Sequence, residues 1–221
     1  RFYNTLGQAE AAAAGNPDHI VAGSRFVQEA DDSNGLPGST VTNFFVFDNS
    51  GNTPIQAAID AAVANDYINV AAGTYTENVT VNKHVTIDGA GSGNGIGDTV
   101  ISKLSNSPVF TITGSGASNA SPLLLKDLRI SPVTVHGLDV PNATTVAHLK
   151  LDNVAVVGTG ITDNSEAETG LWVNTTGSIN DLSVTNSKFN DLTYGWYLQK
   201  HGDWGVSTSN VKNVAVSNTE F

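Results

Sequence analysis

Trp172 and Tyr197, with Lys200, His201, Asp203 and Trp204 close behind in the chain, are the densest set of side chains here that could hold a ligand. Flat aromatic faces take sugar rings or partner surfaces by stacking, and the neighbouring polar groups supply directed hydrogen bonds. A second set, Asp163, Glu166 and Glu168, gathers carboxylates in the segment 157–169. Such a group suits calcium, and it meets the minimum of two carboxylates for glycoside hydrolysis. A solvated acidic loop accounts for the same residues, because a loop holds carboxylate separation loosely. Asp31 to Gly35 has the composition of a calcium loop, but Ala30 and Val41 fall at the first and last ligand positions, which leaves a solvated turn. His136 and His148 flank turns with no second ligand at metal spacing, and both read as surface residues.

A repeat positions these residues. Leu182-Ser-Val184-Thr-Asn186-Ser-Lys-Phe189 returns downstream as Val214-Ala-Val216-Ser-Asn218-Thr-Glu-Phe221. Upstream it stands as Leu149-Lys-Leu151-Asp-Asn153-Val-Ala-Val156 and Leu123-Leu-Leu125-Lys-Asp127-Leu-Arg-Ile130. Alternating apolar residues mark a strand with one buried face, and the Asn or Asp after it marks a turn. A Gly-marked strand follows each time: Gly137-Leu-Asp-Val140, Gly170-Leu-Trp-Val173 and Gly195-Trp-Tyr-Leu198. One such unit cannot bury its own apolar face, whereas stacked copies bury a continuous core. The expected unit is therefore strand, Asn turn, strand, Gly turn, with Asp127, Asn153, Asn186 and Asn218 forming one interior ladder. In the Gly-marked strands Leu138, Val140, Leu171, Val173, Trp196 and Leu198 share the inward parity. Asp139, Trp172 and Tyr197 share the outward one, as an exposed platform unless a loop folds over it. A register slip of one residue would bury them instead.

Bulk composition bounds the rest. The chain has 221 residues, 22 Gly, 7 Pro and only 14% charged residues, which fits a turn-rich all-β protein with a surface of Asn, Thr, Ser and Gly. Its net charge of −11 argues against nucleic acid or an anionic membrane as partner. With no Cys there is neither a disulfide framework nor a thiolate metal site, so stacking must supply the stability. No apolar run reaches the length of a membrane span. The Lys-poor, Asn- and Thr-rich acidic composition is similar to that of bacterial surface-layer and adhesin proteins.

Residues 1–52 do not repeat, and are expected to pack on the N-terminal side of a solenoid formed by residues 53–221. Gln8 to Ala14 reads as a short helix and Val41 to Phe47 as a strand. Thr53-Pro54-Ile55-Gln-Ala-Ala-Ile59-Asp-Ala-Ala-Val63 is the clearest helix, with Thr53 as N-cap, Pro54 at the first helical position and Ile55, Ala58, Ile59, Ala62 and Val63 as its apolar stripe. Gly73-Thr-Tyr-Thr-Glu77-Asn-Val79 and Val85-Thr-Ile87-Asp-Gly89 follow. Over roughly residues 53–90 this succession resembles the opening coils of pectin methylesterases and other secreted β-helix proteins. The resemblance implies the right-handed parallel β-helix of the pectin-lyase-like superfamily, in which such a helix caps the open end and hides strand edges.

The resemblance does not carry an active site with it. Glu77 matches the first methylesterase motif, but the Gln-Asp, Asp-Phe and Arg-Pro-Trp motifs that follow in that family have no counterpart, and Glu77 reads as structural. Pectate-type lyases need an Arg or Lys base beside calcium-binding Asp residues, whereas Arg129 has only Asp127 nearby. His201-Gly-Asp203 is not the Gly-His-Gly of polygalacturonases. The expectation is a non-catalytic structural, adhesive or assembly domain at the cell surface or outside the cell, with neighbouring subunits or a polysaccharide as partner and calcium as the one candidate cofactor. The alternatives are a polysaccharide-active enzyme and a carbohydrate-binding module using Trp172 and Tyr197. Phe221 matches Phe189 and Val156, and no Gly-marked strand follows it. The expectation is a polypeptide that continues past residue 221, or a subunit seated there as in a head-to-tail polymer.

Overall fold

The computed structural model describes residues 19–20, 26–30, 42–46, 53–160, 168–198 and 211–221. The expected helix at Gln8 to Ala14 and the turn at Asp31 to Gly35 lie outside them. Strands β1 (His19–Ile20), β2 (Phe26–Ala30) and β3 (Thr42–Val46) pair antiparallel, and β3 then pairs parallel with β4 (Tyr67–Val70). From β4 onward every strand pairing is parallel, and the chain winds as a β-solenoid. The first coil is β4, β5 (Gly73–Thr76) and β6 (Val79–Val81), and the second is β7 (Thr86–Asp88), β8 (Thr99–Ser102) and β9 (Phe110–Ile112). Next come β10 (Leu123–Ser131) with β11 (Leu138–Val140), then β12 (Thr145–Val157) with β13 (Thr169–Val173). The path ends with β14 (Ser178–Thr185), β15 (Lys188–Asn190) and β16 (Tyr194–Leu198), and then β17 (Val211–Ser217).

Alternation in the sequence becomes stacking in space. Ile68, Ile87, Leu125, Leu151, Val184 and Val216 pair in register from coil to coil, and all but Val216 are fully buried. Val79, Phe110, Leu138, Leu171 and Trp196 form a matching row on the sheet that runs β6, β9, β11, β13, β16. The two rows meet in one core. Gly170 shows why the Gly mark recurs: a Cβ there would lie 2.4 Å from the Gly195 carbonyl oxygen and 2.6 Å from Phe189. The glycine is required by the close approach of the next coil rather than by its backbone angles.

Each coil has three faces where the sequence suggested two strands. β10 and β12 run unbroken through the expected Asn turn. The front half of β10 pairs with β7 and its rear half with β8, so the two halves lie on different faces. The bend between them is one residue in the left-handed region: Asp127, Asn153, Asn186 and Asn218 have φ of 52°, 54°, 52° and 48°. An Asx side chain tolerates that conformation better than other residues that carry a Cβ. A second bend precedes it at His148, Asp181 and Asn213, with φ of 52°, 64° and 53°.

Helix α1 (Pro54–Ala61) lies against the first coil, with Ile55, Ala58 and Ile59 fully buried. The expected stripe ends sooner than its pattern: Ala62 is the C-cap in extended conformation, and Val63 is 59% exposed. Thr53 makes no side-chain cap, and Glu77 replaces it. The Glu77 carboxylate accepts the Ile55 N–H at 3.1 Å and the Gln56 N–H at 3.0 Å. At the other end the Lys83 ammonium donates to the carbonyls of Ile59, Asp60 and Ala62 at 2.8–2.9 Å. A negative group at the helix N-terminus and a positive one at its C-terminus both complement the macrodipole. Gln56 then covers the free edge of β6, accepting the Thr80 N–H at 2.7 Å and donating to the Thr80 carbonyl at 3.4 Å. The helix thus closes that edge by supplying the hydrogen bonds a further strand would have made. Among the described residues no helix is long and apolar enough to cross a membrane.

Candidate functional site

The outward column on the third face is Thr80, Thr111, Asp139, Trp172 and Tyr197, paired in register. The expected parity holds, since Leu171 and Val173 on either side of Trp172 are fully buried in the core. The expected exposure does not: Trp172 is only 6% exposed. Its ring stacks on Tyr197 at 4.5 Å and on His136 at 4.3 Å, with interplanar angles of 22° and 17°. The imidazole comes from the segment just before β11, so rings from three successive coils form one pile. The accessible aromatic surface belongs to Tyr197, half-buried, and to Tyr194, 39% exposed and tilted against it at 5.1 Å.

His136 is therefore no surface residue. It is half-buried, burial pulls its pKa down, and its Nδ1 is shielded without a hydrogen-bond partner. A neutral imidazole stacks on an indole without desolvating a charge. His148, also expected at the surface, has its ring engaged: Nδ1 lies 2.8 Å from Asn119 Oδ1 and 3.3 Å from Asp181 Oδ2. The alternation marks Asp139 only as a member of the outward column. It is 7% exposed, and burial raises its pKa to about 6 against the opposing effect of the Asn174 amide, which donates to Oδ1 at 2.8 Å. An acid that titrates this close to neutrality can hold or release a proton.

The acidic set divides. Asp163 and Glu166 lie outside the described residues. Glu168 is 2% exposed, and both of its oxygens are taken. Oε1 accepts the Thr134 N–H at 3.1 Å, Oε2 accepts the Thr159 N–H at 2.7 Å, and the Thr159 hydroxyl donates to the same carboxylate. Glu168 ties one coil to the next through these bonds. Among the described residues no three His, Cys, Asp or Glu side chains are grouped to hold a metal. Lys200, His201, Asp203 and Trp204 lie outside the described residues, so of the ligand-binding set only Trp172 and Tyr197 are brought together here.

The ladder forms on the outside of the solenoid, where an interior one was expected. Asn153 and Asp127 are half-buried, while Asn186 and Asn218 are exposed. The Asn153 amide donates to Asp127 at 2.7 Å and that of Asn218 to Asn186 at 3.2 Å, but Asn186 donates to Asp152 at 3.0 Å instead of to Asn153. The inward positions beside the bend are apolar, so the left-handed residue turns its side chain away from them. Asp181 and Asn213, bonded at 2.8 Å in the second bend, were missed. Their signal is a polar residue five places before each of Asn186 and Asn218.

No protein-family model matches this chain, and no curated protein or solved structure shows significant similarity to it.

Proposed function

We propose that this chain is a non-catalytic, structural β-solenoid of a secreted or cell-surface protein, of the pectin-lyase-like type. The observation that carries this reading is where the polar side chains go. The amides of Asn153, Asn174, Asn186, Asn213 and Asn218 each donate to a side chain of the preceding coil. The buried carboxylates of Glu77 and Glu168 close a helix end and a loop. Proton transfer or nucleophilic attack needs a carboxylate oxygen facing a substrate, and glycoside hydrolysis needs two such groups. The test is incubation of the purified chain with pectin, pectate and alginate, with and without calcium, reading reducing ends and unsaturated products. Background rates are expected. Turnover that disappears in Asp139→Asn would overturn the reading in favour of a polysaccharide-active enzyme.

The ring pile supports a second reading, carbohydrate binding on the third face. Tyr197 and Tyr194 offer the open part of the stack, and stacking against a sugar needs no deep pocket. Tyr197→Ala should then lower affinity for an oligosaccharide while leaving the melting temperature within a few degrees. Unchanged binding would reject it.

A further inference from the structure

Four Asn-x-Ser/Thr triplets stand in the sequence: Asn78-Val-Thr80, Asn119-Ala-Ser121, Asn142-Ala-Thr144 and Asn174-Thr-Thr176. On the surface of an exported protein such a triplet is an acceptor for N-linked oligosaccharide. A chain rich in Asn and Thr forms the pattern readily by chance, so the sequence alone does not separate the four. The fold does, through the amide nitrogen Nδ2. That atom exchanges one hydrogen for a bulky sugar and needs open space beyond it.

Two of the amides are committed to the solenoid. Asn78 donates Nδ2 to the carbonyls of Ser107 and Pro108, each at 2.9 Å, which uses both hydrogens. Its Oδ1 accepts the Ser105 N–H and hydroxyl at 2.8 Å, and Val79 in the middle of the triplet is 1% exposed in the core. Asn174 donates Nδ2 to Asp139, a carboxylate 7% exposed on the preceding coil. A sugar on either nitrogen would have to lie between coils.

The other two amides are open. Ser118 and Ser121 exchange backbone bonds at 3.0 and 3.3 Å, which puts Asn119 and Ala120 at the tip of a tight hairpin, both exposed. Asn119 Oδ1 is turned to His148 at 2.8 Å. Asn142 and Ala143, also exposed, form the tip of the turn after β11, with Ala143 at φ of 58°. Asn142 Oδ1 accepts the Thr176 N–H at 3.0 Å and its hydroxyl at 3.1 Å. In both residues the carbonyl end is therefore anchored on the protein. Among the described residues Nδ2 of each makes no hydrogen bond. The two turns link β9 to β10 and β11 to β12, so they occupy the same corner in successive coils.

We propose that Asn119 and Asn142 accept N-linked oligosaccharide from a lipid phosphate-linked donor, and that Asn78 and Asn174 do not. The amide nitrogen bonds to the anomeric carbon of the sugar. The bond from that carbon to the phosphate oxygen breaks, the lipid phosphate leaves with the electron pair, and the nitrogen gives up one proton. The proposal rests on the cell-surface reading, because the transferase acts on exported chains. It goes further by naming which corner of the solenoid is covered. With only 14% charged residues, the surface gains from sugars there the hydration that charges supply in other proteins.

The test is secretion of the chain from yeast behind a fused leader. The soluble monomer that melts cooperatively is digested with a peptide-N-glycosidase in ¹⁸O water and mapped by mass spectrometry, so that each glycan leaves a labelled Asp. Label is expected at 119 and 142 alone. Intact mass should fall by one glycan in Ser121→Ala, by one in Thr144→Ala and by both in the double variant, and Thr80→Ala should change nothing. The two hydroxyls removed make bonds of only 3.4 and 3.5 Å, so melting temperatures should stay within a few degrees. Label at Asn78 or Asn174 in the folded fraction, or its absence from Asn119 or Asn142, would overturn the proposal. The leader carries the chain past the transferase whatever its natural address, so such a result is a failure of the sites. The cell-surface reading fails separately, if the protein in its own cells fractionates with the cytosol.

Discussion

Glu77, in the turn between β5 and β6, and Asp139, in β11, are both carboxylates shut away from water, 0% and 7% exposed. Burial raises both pKa values, to about 7 and about 6. Their partners differ. Glu77 stands at a helix N-terminus and receives two backbone N–H groups, a site whose dipole favours a negative group. Asp139 stands beside a pile of rings and receives one side-chain amide. The difference teaches that burial and a perturbed pKa do not by themselves mark a functional acid. An acid whose oxygens are saturated by backbone donors is a structural part, whereas one with a single amide partner keeps capacity for a ligand or a proton.

Titration should show the largest effect. Each acid has a folded pKa above its unfolded value, so between about pH 4 and pH 7 the folded state holds more protons than the unfolded state. Stability is therefore greatest at the acidic side of this window and falls as pH rises through it, by on the order of 3 kcal/mol for each acid. Urea unfolding measured across the window checks this. Glu77→Gln should flatten the part nearest pH 7 and Asp139→Asn the part nearer pH 6. A slope of opposite sign would mean that the N–H groups on Glu77 outweigh its desolvation.

Trp172→Ala comes next. A ring enclosed between His136 and Tyr197 should cost about 3 kcal/mol on removal, the lower end for large buried aromatics. The exposed platform expected from sequence would cost close to nothing, so one denaturation curve separates the two. Glu77→Ala should cost about 2 kcal/mol by stranding the Ile55 and Gln56 N–H groups, with exchange of those amides accelerated. If Glu77→Ala leaves α1 protected, the helix is held by its apolar face alone. The smallest effect is expected at the ladder: Asn186→Ala should cost about 1 kcal/mol, from the left-handed conformation and bonds made near solvent. Asn186→Gly, which keeps the conformation and loses the bonds, should divide that figure into its two parts.

Part of the candidate site was legible in the chain. The outward parity of Asp139, Trp172 and Tyr197 follows from alternation beside the Gly marks, since register in a sheet with one buried face is strongly specified. Their burial was not legible, because it depends on a ring from another coil: His136 belongs to a different repeat and lies over Trp172 only after the coils stack. Glu168 was hidden for the same reason, its partners Thr134 and Thr159 lying on separate coils.

The sequence by itself determined the solenoid. Alternation, the Asn or Asp mark and the Gly mark recur together, and a unit that cannot bury its face alone has to stack. It also determined the helix beside the first coil, through Pro54 and the stripe of Ile55, Ala58 and Ile59. Only the tertiary structure decided that the Asn mark is a bend within a strand, that each coil has three faces, and that the ladder lies outside. Period-two alternation reports which side of a strand is buried but not where the strand turns, because a single left-handed residue bends the chain without interrupting the pattern. The roles of Glu77, Gln56 and Lys83 as the closure of the helix and of the β6 edge were likewise decided in space. Helix ends and strand edges take whatever donor or acceptor the fold brings to them, and here it came from residues more than twenty positions away.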